Sequence, residues 1–279
     1  MSCDDLSLYR KKVLERINQY EREGKFDIDV EDDPPSKVLM PNKVDYLNKK
    51  LSSKIISKIA NKKAIDFFEN QIKQGTFVIK DIKGIENYTS VKGGAVITCN
   101  HFSVYDHYIV YKTIKDYLGK NHYLYKVIRE GNYTGFKGLF GLFFRHCNTL
   151  PLSSNSQTMI KFLKAVNELL KKGEKILIYP EQAMWWNYRK PRPFKIGAYK
   201  FVSIANVPII PAFITMEDSD KKDNEGAFVQ ECTLWFMPPI YPKKELSARE
   251  NAEYLKEENF KVVKELYEKV YGKELKYGE

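Results

Sequence analysis

Apolar positions recur at helical spacing near the start of the chain. Leu8, Val13, Leu14, Ile17 and Tyr20 stand among charged residues and predict a helix over residues 5–23, which Gly24 ends. An acidic run follows, Asp27-Ile28-Asp29-Val30-Glu31-Asp32-Asp33, closed by Pro34-Pro35 and read as a linker or surface loop. Helical spacing returns over residues 42–73 through Val44, Leu47, Leu51, Ile55, Ile59 and Ile65. From Thr76 the pattern changes to strand and helix in alternation. Phe77–Ile82 and Ala95–Cys99 have strand composition, and residues 102–117 read as a helix. Ser156 caps an amphipathic segment carrying Met159, Ile160, Leu163, Val166, Leu169 and Leu170, and Gly173 stops it. Strand Ile176–Tyr179, a helix over 195–205 and a buried strand Val207–Ile214 come next, and Ser247 with Glu250 forms a capping box for a helix through Val270. This order predicts an α/β fold, a largely parallel sheet flanked by helices over residues 76–279, preceded by a helical N-terminal segment with its acidic linker over residues 1–75.

Composition narrows the class. A hydrophobic content of 43% excludes a disordered chain, and 46 Lys+Arg against 36 Asp+Glu gives +10, a surface suited to anionic partners. Nucleic acid is not among the expected ones, since no recognition motif accompanies the basic residues. Between Asn42 and Lys63 stand seven lysines and one acid, Asp45. Such a helix can lie on an anionic membrane, or it can pack on the domain and turn its lysines to solvent. The longest apolar runs, Gly138–Phe144 and Val207–Ile214, are far shorter than a bilayer span, and the first residues lack a signal-peptide pattern. The expectation is a cytoplasmic protein, peripheral at the inner membrane face. Cys3, Cys99, Cys147 and Cys232 show neither zinc-ligand nor disulfide-framework spacing, so no metal is expected.

In such sheets, functional groups gather beyond the carboxyl ends of strands. One strand end leads into Asn100-His101-Phe102-Ser103-Val104-Tyr105-Asp106-His107, another into Tyr179-Pro180-Glu181-Gln182-Ala183-Met184-Trp185-Trp186. On a regular helix His101 and Asp106 would lie about 140° apart. With His101 in the turn before the helix, its ring can fold back onto the carboxylate, which would fix its tautomer and support proton abstraction from a hydroxyl or amine. Spacing alone also fits a structural pair, and a metal hydrolase built on His101, Asp106 and His107 lacks further ligands at convincing spacing.

Four segments in order sharpen the reading. Asn100-His101-x4-Asp106, Tyr179-Pro180-Glu181, Pro193-Phe194-Lys195-Ile196-Gly197-Ala198 and Val207-Pro208-Ile209-Ile210-Pro211 resemble the N-H-x4-D, F-P-E-G, F-K-x-G-A and V-P-I-x-P motifs of the lysophospholipid/glycerolipid acyltransferase superfamily. The resemblance implies His101 as general base with Asp106 as its partner. It also implies an acyl-CoA or acyl carrier protein donor, a lysolipid-like acceptor hydroxyl and no cofactor. It points to Glu181 and Gly197 as substrate-binding residues, and the chain's own basic run adds Arg189, Arg192 and Lys195 as candidates.

Two departures bear on the acceptor. Gln182-Ala183-Met184 stands where the family commonly has Gly-Thr-Arg, and the family's phosphate-contacting Arg has no counterpart near Leu152-Ser153, with Arg145 too early to match. Arg189, Lys190, Arg192, Lys195 and Lys200 form a basic run that either replaces those arginines or is a solvated loop. Trp185-Trp186 suits a membrane interface, an acyl-tunnel mouth or the core, and Gly138–Phe144 suits an acyl slot, shallow insertion or a core helix. The alternative function is a non-catalytic lipid- or acyl-carrier-binding protein on the same fold.

Overall fold

The structure, a computed structural model, describes residues 6–278, so Cys3 lies outside the described residues. Five strands run in one direction side by side: β2 (Ala95–Thr98), β3 (Leu124–Ile128), β4 (Thr149–Pro151), β5 (Lys175–Ile178) and β6 (Ile209–Lys222). β7 (Phe228–Phe236) returns antiparallel to β6, and β1 (Val78–Lys83) pairs in parallel with β7 at the edge. The full order is β1-β7-β6-β2-β5-β3-β4. β2 and β5 are buried along their whole length, as expected of parallel strands covered on both faces.

Helices cover the two faces. On one, α2 (Leu51–Lys73), α4 (Asp106–Ile114) and α6 (Gly138–His146) enclose Phe68, Tyr108, Ile109 and Phe143 against Ile97, Leu177 and Ile214. On the other, α7 (Ser156–Lys171), α8 (Gly197–Ala205) and α9 (Ala248–Tyr271) bury Phe162, Val166, Tyr199, Val202 and Leu255 against Val96, Ile176 and Ile178. The capping box of α9 forms as expected, with Ser247 and Glu250 exchanging side-chain and backbone bonds. Short helices α3 (Ile85–Thr89) and α5 (Glu130–Gly135) complete the domain. Cys99, Cys147 and Cys232 are free and buried.

Helix α1 (Leu8–Arg22) and the acidic segment after it pack together on the loop following β5. Val13, Ile17 and Val30 share a buried cluster with Ala183 and Trp185. The helix expected from residue 42 begins only at Leu51. Asp45 takes the N–H groups of Lys49 (3.1 Å) and Lys50 (3.2 Å), Asn48 adopts a left-handed φ of 49°, and Tyr46 hydrogen-bonds the Pro151 carbonyl at 2.8 Å. These bonds hold residues 42–50 as a loop over the sheet end. Similarly, the helix expected from residue 102 starts at Asp106, because that carboxylate binds the two N–H groups that would extend it backwards.

Candidate active site

β2 ends at Thr98, and the following residues leave the sheet under tight control. Asn100 is buried and mimics a strand backbone: its Oδ1 accepts from the Ile214 N–H (2.8 Å) and its Nδ2 donates to the Ile214 carbonyl (3.0 Å). This fixes where His101 emerges. The His101 ring then folds back as its spacing suggested, with Nδ1 2.7 Å from Oδ2 of Asp106 at the start of α4. The same oxygen accepts the N–H groups of Phe102 (3.1 Å) and Ser103 (3.2 Å). Tyr179, at the end of β5, donates its hydroxyl to the other oxygen at 2.5 Å and stacks its ring on the imidazole, centroids 4.0 Å apart.

Asp106 is fully buried. Burial by itself would push its carboxyl up, but His101 and the bonds from His101 and Tyr179 bring it below the ordinary value. Asp106 is therefore an acceptor only at neutral pH, so Nδ1 of a neutral His101 must carry the proton and Nε2 its free lone pair. The imidazole is 22% exposed, and Nε2 has no hydrogen-bond partner among the described residues. A proton acceptor of fixed tautomer thus faces outward from a dry carboxylate. His107 does not join it. Its ring stands edge-on to Phe68, and burial together with the Lys126 ammonium lowers it to about 3.

Glu181 and Arg192 form the second unit. They pair at 2.8 Å, with side chains 2% and 1% exposed. Glu181 also accepts the N–H groups of His101 (3.1 Å) and Arg192 (2.9 Å). Arg192 reaches the carbonyls of Phe26 (2.9 Å), His101 (3.3 Å) and Ala183, and its guanidinium lies over the Trp185 ring. Its nitrogens are turned inward to the protein, so the expected substrate-binding role gives way to a structural one. Three more members of the basic run are matched by acids distant in sequence: Arg189 with Asp218 (2.6 Å), Lys190 with Glu21 (2.6 Å) and Lys195 with Asp27 (3.0 Å). Lys200 is exposed on α8. Gly197 opens that helix, and a Cβ there would meet open space. Arg145 donates to the carbonyls of Tyr133 and Phe136 and serves the local turn.

Two residues gain a meaning that the sequence did not disclose. Gln182 occupies the position where the resembled motif has glycine, and its φ is +72°, a conformation that costs a residue with a side chain about 1–2 kcal/mol. Tyr179 occupies that motif's Phe position, and its hydroxyl is what reaches Asp106. Trp185 proves to be core, fully buried with its indole N–H on the Ile28 carbonyl at 2.9 Å, while half-buried Trp186 lies under the Arg10 guanidinium.

Residues 80–215 match the family model described as Acyltransferase. This segment contains the His101–Asp106 and Glu181–Arg192 units and the four ordered motifs. Residues 80–215 are thus an acyltransferase domain. Among solved structures, the chain is similar to the 1-acyl-sn-glycerophosphate (LPA) acyltransferase PlsC from Thermotoga maritima, with a TM-score of 0.52 and 18% identity over 83% of this chain and 87% of that one. That likeness is one of fold. A comparison with curated proteins finds no match. The acyltransferase is therefore defined by its domain and by the geometry of its own side chains.

Tyr179→Phe strips a donor from a buried carboxylate and should cost about 1.5–3 kcal/mol in urea unfolding, with the loss growing smaller as pH falls and Asp106 becomes protonated. Unchanged stability would show that Asp106 finds another donor. Arg192→Met should cost about 3–5 kcal/mol, because it leaves Glu181 charged and buried without its partner. A variant of normal stability that binds substrate poorly would instead return Arg192 to the substrate side.

Proposed function

We propose that this acyltransferase moves a fatty acyl group from a thioester, acyl-CoA or acyl carrier protein, to the hydroxyl of a lysophospholipid- or glycerolipid-type acceptor. The observation that carries the reading is the outward-facing Nε2 of an imidazole whose Nδ1–H is fixed 2.7 Å from buried Asp106. In the proposed step Nε2 takes the acceptor's hydroxyl proton as the oxygen attacks the thioester carbonyl. Asp106 stabilises the imidazolium that forms, and the proton then passes to the departing thiolate. The chain offers no serine or cysteine in a nucleophile elbow, and the three described cysteines are buried, so direct transfer without an acyl-enzyme fits the residues. Glu181 acts here by fixing the His101 backbone, not by touching the acceptor.

The membrane is the proposed source of the acceptor, met from the cytoplasmic side. No helix among the described residues is long and apolar enough to cross a bilayer. Helix α2 instead exposes Leu51, Ile55 and Ile59 along one face, each more than half accessible, with Lys54, Lys58 and Lys62 beside them. Leu139 and Phe140 of α6 add further exposed apolar area, and Phe140 packs edge-on against Phe67 of α2. An apolar stripe bordered by lysines suits shallow insertion into an anionic surface.

In a transfer assay with acyl-CoA and mixed lysolipids, His101→Ala should lower turnover by about two to four orders of magnitude while the fold stays intact. Near-normal turnover in that variant would refute the general-base role. In liposome flotation the protein should favour anionic over neutral vesicles and be released by high salt, and Leu51, Ile55 and Ile59 replaced together by serine should reduce binding further. Equal, salt-insensitive binding to both vesicle types would contradict the electrostatic part.

A further inference from the structure

The loops beyond β3 and β4 border an open groove. Asp29 and Asp33 line it from the N-terminal side, Arg129 and Glu130 from the end of β3, and Ser153 and Ser154 from the end of β4. It lies on the same carboxyl edge as His101. In the sheet β3 is two places from β2, with β5 between them, a lateral distance of about 10 Å at ordinary strand spacing. A lysolipid covers that kind of span between its free hydroxyl and the end of its headgroup.

Charge in the groove runs against a phosphate. Arg129 is the single cation of the lining, and its two terminal nitrogens are taken by Asp29 and Asp33. Glu130 accepts from the Leu39 N–H, the Ser154 N–H and the Ser153 hydroxyl, which keep it ionised. Three carboxylates therefore face one guanidinium, a formal −2. A phosphomonoester would bring a further charge of about −1.5 to −2 at neutral pH. The cations flanking Glu181 give no relief, since Arg189, Lys190, Arg192 and Lys195 are already paired.

Asp29 is also held in place. Its neighbour Val30 is wholly buried beside Trp185, and the Ile28 carbonyl accepts the Trp185 indole N–H. The carboxylates at the groove thus belong to a segment anchored on the domain.

We infer that Asp29 and Asp33 set the choice of acceptor: by engaging Arg129 they close the groove to a phosphomonoester and suit it to an ammonium-bearing, zwitterionic headgroup. The net negative lining attracts the ammonium, and the single phosphodiester charge tethered to it is repelled less than a phosphomonoester. This inference rests on the lysolipid-acceptor reading above, and its test needs no turnover.

Isothermal titration without acyl donor compares short-chain lysophosphatidylethanolamine, lysophosphatidate and monoacylglycerol of equal chain length, each below its micelle concentration. The wild-type protein should bind the ethanolamine lipid about tenfold more tightly than lysophosphatidate, the scale of one favourable ion contact in a partly enclosed site. The double variant Asp29→Asn/Asp33→Asn, checked for folding by circular dichroism, should narrow that ratio severalfold, chiefly through tighter lysophosphatidate binding. Equal or tighter lysophosphatidate binding by the wild type overturns the inference. So does a ratio unmoved in the folded variant, monoacylglycerol binding as tight as the ethanolamine lipid, or no measurable binding of any of the three. Because donor is absent, the expected ratio in a protein that later transfers acyl groups to neither phospholipid would sustain the headgroup assignment and refute the proposed reaction alone.

Discussion

The buried Glu181–Arg192 pair is the contact on which the working edge of this domain depends. Its two side chains, both almost wholly out of water, satisfy backbone groups from three separate stretches: the His101 N–H and carbonyl, the Ala183 carbonyl and the Phe26 carbonyl. A buried ion pair gains little net stability from Coulomb attraction, since both charges are desolvated. Here its value is in geometry. Every acceptor and donor around it is fixed in direction, so the loop bearing His101, the loop after β5 and the segment after α1 take up one arrangement together. Trp185 seals that arrangement by stacking on Arg192, and its own N–H returns to the Ile28 carbonyl.

The sequence made the layered core legible because burial writes itself into short apolar runs. Ala95–Thr98, Ile176–Ile178 and Ile209–Ile214 sit where apolar runs placed strands, and α9 starts where Ser247 announced it, whereas α7 is capped by Asn155 and takes the expected cap, Ser156, as its first helical residue. Elements escaped where that signal is weak or divided. β4 has three residues, and β3 carries Lys126 in its centre, so neither shows an apolar run. β7, although well patterned, lies outside the alternation that the parallel core sets up, and reverses direction beside β6. Residues 42–50 have helical apolar spacing, yet Asp45 and a left-handed Asn48 divert the backbone, a competition that spacing does not register.

Within the site, the same division holds between local and long-range information. His101 and Asp106 are five residues apart, and a turn followed by a helix start is enough to bring them together. The basic run after Glu181 is also local in sequence, but its meaning depends on acids from elsewhere: Glu21 and Asp27 from the N-terminal side and Asp218 from β6. A count of charges along residues 189–195 sees a positive patch, whereas the folded protein has a set of closed pairs. Gln182 carries a related lesson. Its left-handed backbone explains why a glycine suits that position, and its presence shows that the loop is held firmly enough by Glu181, Arg192 and Trp185 to carry the strain.

The burial of Asp106 beside a part-exposed His101 makes a final physical point. A carboxylate in a dry site ordinarily picks up a proton, which would turn it from acceptor to donor and release the histidine tautomer. Three N–H groups on one oxygen and the Tyr179 hydroxyl on the other prevent this. Two of those N–H groups come from the backbone of residues 102 and 103, so the carboxylate is kept ionised by the turn that aims the imidazole. The Tyr179 ring, stacked on that imidazole, limits its tilt while the hydroxyl serves Asp106. Orientation, tautomer and charge state are thus set by one small group of bonds at the ends of β2 and β5, and each requires the others. In the proposed reaction a base assembled this way would need little reorganisation on taking a proton, because the dipoles that stabilise the imidazolium–carboxylate state are already in position.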